Sequence, residues 1–80
     1  MNDKQKELEG LIDTAWTEYN HIFAAEIQSD YDDAMDMGER REAEGYALGL
    51  ETAYQVIYGV RYQTPIEKCD EDNYEFWLTD

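Results

Sequence analysis

The chain has 80 residues, 20 Asp and Glu against six Lys and Arg, a formal net charge of −14 and 14% aromatic residues. One small domain of residues 1–80 with material for a core is expected, unlike disordered acidic tails, which are poor in aromatics. The charge disfavours nucleic acid and anionic membrane as direct partners, since both are polyanions.

Solubility of a small domain needs a net charge of only about 2–8 in magnitude. The excess costs stability through self-repulsion and so suggests a use. Cys69 is the one cysteine, which rules out an intrachain disulfide and fits a reducing compartment. No apolar run has signal-peptide or transmembrane length, so a cytoplasmic protein is expected.

In chain order, Asn2 is placed to cap a helix, with Gln5 in the capping-box position. Leu8, Leu11, Ile12, Ala15, Trp16, Tyr19, Ile22, Phe23 and Ile27 then recur at spacings of three and four. That pattern predicts an amphipathic helix over about residues 3–28. Ser29 to Asp32 resembles a second capping box, which predicts a turn or kink there, with continuous helix through residues 28–38 as the alternative.

A second helix is expected to run to about Tyr62, giving a hairpin of residues 3–28 and 29–62. Its first half is polar and its second, Gly45 to Val60, is apolar nearly all round. Gly38, Gly45, Gly49, Thr52, Ala53 and Val56 form a stripe of small residues that should face the first helix or a second protomer. Tyr46, Leu50, Tyr54, Ile57 and Tyr58 form the opposite stripe. One long helix does not readily cover both, and a homodimer would.

Thr64-Pro65-Ile66-Glu67 ends the second helix and matches the start of a short third one, with Thr64 as cap. Asp70 to Asn73 should form a loop. Tyr74, Phe76, Trp77 and Leu78 should return the C-terminus to the hairpin as a short helix or an extended segment. The expected class is all-α.

The chemistry-bearing motifs fail one by one. An EF-hand loop wants oxygen ligands at positions 1, 3 and 5, glycine at 6 and glutamate at 12. From Asp30 these fall on Ala34, Met35 and Arg41 for positions 5, 6 and 12, and from Asp70 on Tyr74 and Glu75 for positions 5 and 6. A zinc site needs several His or Cys, and the chain has one of each. His21 therefore reads as structural. Cys69 precedes Asp70, Glu71 and Asp72, which would raise a thiol pKa and not activate it. No phosphate loop, catalytic pair, metal or cofactor is assigned, and no enzyme is expected.

The acidic surface remains. Glu26, Asp30, Asp32, Asp33, Asp36, Glu39, Glu42 and Glu44 stand against only Arg40 and Arg41 in that stretch. Helix neighbours three or four apart lie about 5–6 Å from each other, and like charges at that spacing are mildly destabilising. Glu9 and Asp13 add charge to the first helix, and Asp70, Glu71, Asp72 and Glu75 form a second cluster. Duplex DNA carries about one charge per 1.7 Å, so −14 equals about seven base pairs, roughly 24 Å of duplex. A helical hairpin about 40 Å long could present it.

In size, charge, carboxylate rows and aromatic-rich core, the whole chain resembles the small acidic helical bacteriophage proteins that imitate DNA, namely anti-restriction proteins and some anti-CRISPR proteins. The resemblance is one of character and rests on no motif. It implies a stoichiometric inhibitor that occupies the basic, nucleic-acid-binding surface of a host defence or transcription protein, in the host cytoplasm if phage-encoded. Surface carboxylates would then be the working groups: Glu26, Asp30, Asp32, Asp33, Asp36, Glu39, Glu42, Glu44, Asp70, Glu71, Asp72 and Glu75. A helical adaptor, acting through its apolar faces with acid only for solubility, is the alternative.

Overall fold

A computed structural model describes residues 3–29 and 36–78, with the side chains of Asp36 and Met37 outside the described set. It contains two helices, α1 (Asp3–Gln28) and α2 (Asp36–Tyr58), and a 3₁₀ turn at Tyr74–Trp77. The helices pack as a hairpin in a body of 45 × 22 × 18 Å. Among the described residues there is no strand, and no helix is long and apolar enough to cross a membrane.

The expected periodicity of α1 places Ile12, Ala15, Trp16 and Tyr19 in one buried row. From α2, Ala43, Ala47, Leu50, Tyr54 and Tyr58 meet that row at spacings of four, three, four and four. Trp16 is the centre of the cluster at 1% exposure. Its ring meets Tyr19 edge-on, with centroids 5.3 Å apart. Tyr54 stacks obliquely on Tyr58 at 4.9 Å and on Tyr62 at 5.5 Å. Large aromatic side chains thus supply the burial that a chain of this length lacks in number of residues.

Within the chain the tyrosine side of α2, not the small-residue side, faces α1. Leu50, Tyr54 and Tyr58 turn inward, while Tyr46 and Ile57, at the edges of the same stripe, are exposed. Gly45, Gly49, Thr52, Ala53 and Val56 all face outward. A Cβ on Gly45 or Gly49 would meet nothing within 4 Å. Glycine inside a helix costs about 1 kcal/mol relative to alanine, and the hairpin itself makes no use of their smallness.

Two expected boundaries are corrected. Helix α2 stops at Tyr58, not near Tyr62, because Gly59 takes a left-handed conformation at φ +72°. Its N–H donates to the Gln55 carbonyl at 2.8 Å, and the chain turns away. No helix begins at Thr64: residues 61–70 form an extended strap along the hairpin. The Thr64 hydroxyl accepts from the Ile66 N–H at 3.1 Å, as a cap would, but also donates to Asp13 at 2.6 Å. Such a short helix is marginal alone, and tertiary bonds to the strap prevail.

Ser29 finishes α1. Its N–H donates to the Ala25 carbonyl and its hydroxyl to the Glu26 carbonyl. Asp32, the other half of that expected box, and the turn-or-helix choice over residues 28–38 fall largely outside the described residues, as does Asn2.

Asn20 clamps the strap to α1. It is fully buried, and its amide donates to the Glu67 carbonyl at 2.7 Å and accepts from the Cys69 N–H at 2.9 Å. The expected loop at Asp70–Asn73 is a reciprocally bonded turn. Asp70 Oδ1 accepts from the N–H groups of Asp72 and Asn73, while Asn73 Oδ1 accepts from Asp70 N–H. The 3₁₀ turn follows and returns the chain to α1 at His21. The His21 Nδ1–H donates to the Trp77 carbonyl at 2.5 Å, and the two rings meet edge-on at 6.0 Å. His21 is thus a structural residue.

Candidate acidic interaction surface

The fold sorts the carboxylates into two sets. An inward set lines the seams between α1, α2 and the strap. Tyr54 donates its hydroxyl to Glu9 at 2.6 Å and receives the Gln5 amide at 2.8 Å. Tyr62 and Thr64 both donate to Asp13. The Trp16 indole N–H donates to Glu51 at 2.8 Å. Glu26, only 1% exposed, accepts from the Arg40 guanidinium at 3.0 Å.

Glu26 therefore stands apart from the surface carboxylates expected of its row. It ties the start of α2 to the end of α1. Glu9 and Asp13, expected to extend the charged face of α1, are instead acceptors for buried or half-buried hydroxyls. The sequence carries a signal for this set in its donors. A core rich in tyrosine and tryptophan must give each buried O–H and N–H an acceptor, and carboxylates were the acceptors at hand.

The outward set is exposed. Glu39 and Glu42 lie on the first turns of α2, with Glu44 half-buried beside them. Asp70, Glu71, Asp72 and Glu75 are exposed on the turn and the 3₁₀ segment. Asp36 belongs to α2, with its side chain outside the described set, and Asp30, Asp32 and Asp33 lie outside the described residues. The two clusters, far apart in sequence, are attached to neighbouring points of α1. Asn20 holds the strap and Glu26 holds α2, six residues or about 9 Å of helical rise apart.

Between the strap and the 3₁₀ turn lies an open cleft of about 410 Å³ lined by Pro65, Ile66, Glu67, Asn73, Phe76 and Trp77. Phe76 at its rim is 79% exposed. Among the described residues no group of three or more His, Cys, Asp or Glu is arranged to hold a metal ion.

The titrating groups follow from these contacts. Burial, then the bond to Asp13, pushes the Tyr62 hydroxyl up to about 12. The bond to Glu9 raises Tyr54. Burial raises the Cys69 thiol and Asp70 adds to it, in the direction its acidic neighbours implied. Arg40 is held above its ordinary value: burial opposes its charge, but Tyr19 and Glu26 outweigh that.

A raised tyrosine pKa has a signed consequence. Tyr62 stabilises the fold fully below its unfolded value of about 10, and that contribution is lost as pH rises from there through about 12. Alkaline titration followed by circular dichroism should therefore show unfolding in that window. Tyr62→Phe should lose stability at neutral pH and flatten the alkaline limb. An unchanged limb would place the alkaline loss elsewhere.

Comparison with protein-family models, with curated proteins and with solved structures found no match to this chain.

Proposed function

We propose that the chain is an acidic binding protein that inhibits a nucleic-acid-binding protein by imitating the charge of DNA or RNA. The supporting observation is the near absence of internal charge pairing. Among the described residues the one ion pair is Arg40–Glu26. Among the described residues, no Lys or Arg forms an ion pair with exposed Glu39, Glu42, Asp72 or Glu75. Their partner would be the basic surface of a nuclease, CRISPR effector or transcription factor, with electrostatic steering followed by carboxylate pairing to Arg and Lys. Phe76, exposed beside Glu75, offers such a surface an aromatic face for an arginine. This reading assigns no catalytic group and no cofactor.

The test is capture of partners at low salt from the lysate of a native host, then titration of the captured complex with salt and with competing duplex. Affinity should fall steeply with salt, and duplex should displace the chain. Glu39→Gln with Glu42→Gln, and Asp72→Asn with Glu75→Gln, should each weaken binding. Salt-insensitive binding, or binding unaffected by both pairs, would sink the reading. It would favour the second one, a helical adaptor working through apolar contacts. The observation that speaks for the adaptor is the outward side of α2, where Val56 is 77% and Ile57 63% exposed.

A further inference from the structure

We propose that the cleft between the strap and the 3₁₀ turn receives one arginine side chain of a protein partner, its guanidinium set against the Phe76 and Trp77 rings and paired with the Glu67 carboxylate. That this arginine belongs to a nucleic-acid-binding surface rests on the inhibitor reading; the chemistry of the cleft does not. The cleft of about 410 Å³ is at the lower end of the roughly 300–1,000 Å³ that small-ligand sites occupy. The 3₁₀ turn supplies two rings and the strap supplies one carboxylate. The rings stand at 84° with centroids 5.0 Å apart, so they form a corner and not a flat stack. Glu67 is exposed, and its carboxylate has no hydrogen-bond or ion-pair partner among the described residues.

Alternation along the strap sets the charge of the cleft. In an extended segment successive side chains point to opposite sides. Pro65 and Glu67 line the cleft, whereas Thr64 and Lys68 line a separate depression with Arg61 and Glu51. Lys68 lies over the Trp16 ring there. The other four cations are elsewhere. Arg40 is bonded to Glu26, and Arg41 belongs to α2, which does not touch the 3₁₀ turn. Lys6 precedes Asn20, the anchor of Glu67, by 14 positions or about 21 Å of helical rise, and Lys4 is farther still. His21 meets the Trp77 ring but does not line the cleft. Asp72 and Glu75, exposed next to the lining residues Asn73 and Phe76, add to the negative field.

Charge therefore selects a cation, and shape selects arginine. A planar guanidinium stacks on an aromatic ring while pairing with a carboxylate, and a compact, strongly hydrated ammonium does this less well. The walls are also preformed. Asn20 holds the Glu67 carbonyl, His21 holds the Trp77 carbonyl, and Asn73 Nδ2 donates to the Lys68 carbonyl at 3.0 Å, which ties the turn to the strap. Little ordering is left to oppose binding.

Titration of the full chain with N-acetyl-arginine amide, at neutral pH and fixed ionic strength, tests it through the two tryptophan indole N–H resonances. The Trp77 resonance should shift saturably. That of Trp16, buried and bonded to Glu51, should not move and is the internal control. N-acetyl-lysine amide has the same charge and should bind more weakly. N-acetyl-citrulline amide keeps the shape without the charge and should not saturate. Phe76→Ala and Glu67→Gln should each raise the dissociation constant about two- to fivefold. Both should keep the helical dichroism, because both side chains are exposed. An arginine titration without saturation, lysine or citrulline binding as tightly, or variants that bind like the parent would overturn the proposal. In capture of the partner, the two substitutions combined should weaken binding about tenfold. Capture that ignores them but falls with Glu39→Gln and Glu42→Gln would overturn the cleft and leave the inhibitor reading standing. Salt-insensitive capture that still needs Phe76 and Glu67 would do the reverse.

Discussion

Trp16→Ala should leave the chain largely unfolded at ordinary temperature. An 80-residue domain has a stability of about 4–12 kcal/mol. Emptying the site of a buried tryptophan costs about 3–5 kcal/mol. At Trp16 the loss falls on every element at once. The ring packs on Tyr19 within α1, its N–H holds Glu51 of α2, and Lys68 of the strap lies 4.5 Å over its face. Trp16→Phe separates these contributions, since it keeps most of the apolar body and removes the N–H. It should cost about 1–2 kcal/mol, part of it for leaving Glu51 without its donor. Thermal melts of the two variants check this, at about 4–8 °C per kcal/mol for a domain of this size. A Trp16→Ala protein that melts within a few degrees of the parent would show that the hairpin core is centred elsewhere.

Arg40→Ala should have the second largest effect, because of what it leaves behind. Glu26 is buried, and its Oε1 has no hydrogen-bond partner among the described residues. Arg40 supplies its one ion pair and also lies 4.5 Å over the Phe23 ring. Removing one partner of a buried pair costs about 3–5 kcal/mol. The Arg40 side chain is 26% exposed, so the pair is partly solvated and about 2–4 kcal/mol is expected. The comparison that identifies the mechanism is Glu26→Leu with Arg40→Leu. Replacing both members by apolar groups of similar size should be nearly neutral, because no charge is then left buried. If the double variant is as unstable as Arg40→Ala, packing on Phe23 rather than the stranded carboxylate is the cause. Chemical denaturation at neutral pH distinguishes the two.

These two residues also show what is legible before folding. Trp16 reads as core from spacing alone, since it lies in the row Ile12, Ala15, Trp16 and Tyr19. Glu26 reads as surface from spacing, charge and company, and it is buried. The difference is that an apolar residue declares its environment by type, whereas a carboxylate is buried only where a distant donor meets it. Arg40 is 14 positions away from Glu26, and Tyr62 is 49 away from Asp13.

The sequence by itself determined the all-α class, the span of α1 at residues 3–28, the row of aromatics that forms the core and the concentration of acid away from Gly45–Val60. Each of these rests on local periodicity or composition, which act over a few residues and survive any tertiary arrangement. Tertiary structure alone decided which side of α2 faces α1, because both stripes were apolar enough to be buried and only the shape of the facing helix chooses between them. It decided that the Thr64 segment stays extended, because Asn20 and Asp13 outbid the single turn of helix that its capping pattern offers. It also divided the carboxylates into an inward set that accepts hydroxyl, indole and guanidinium hydrogens and an outward set at Glu39–Glu42 and Asp70–Glu75. That division depends on which donors arrive from the other end of the chain, and no local pattern carries it.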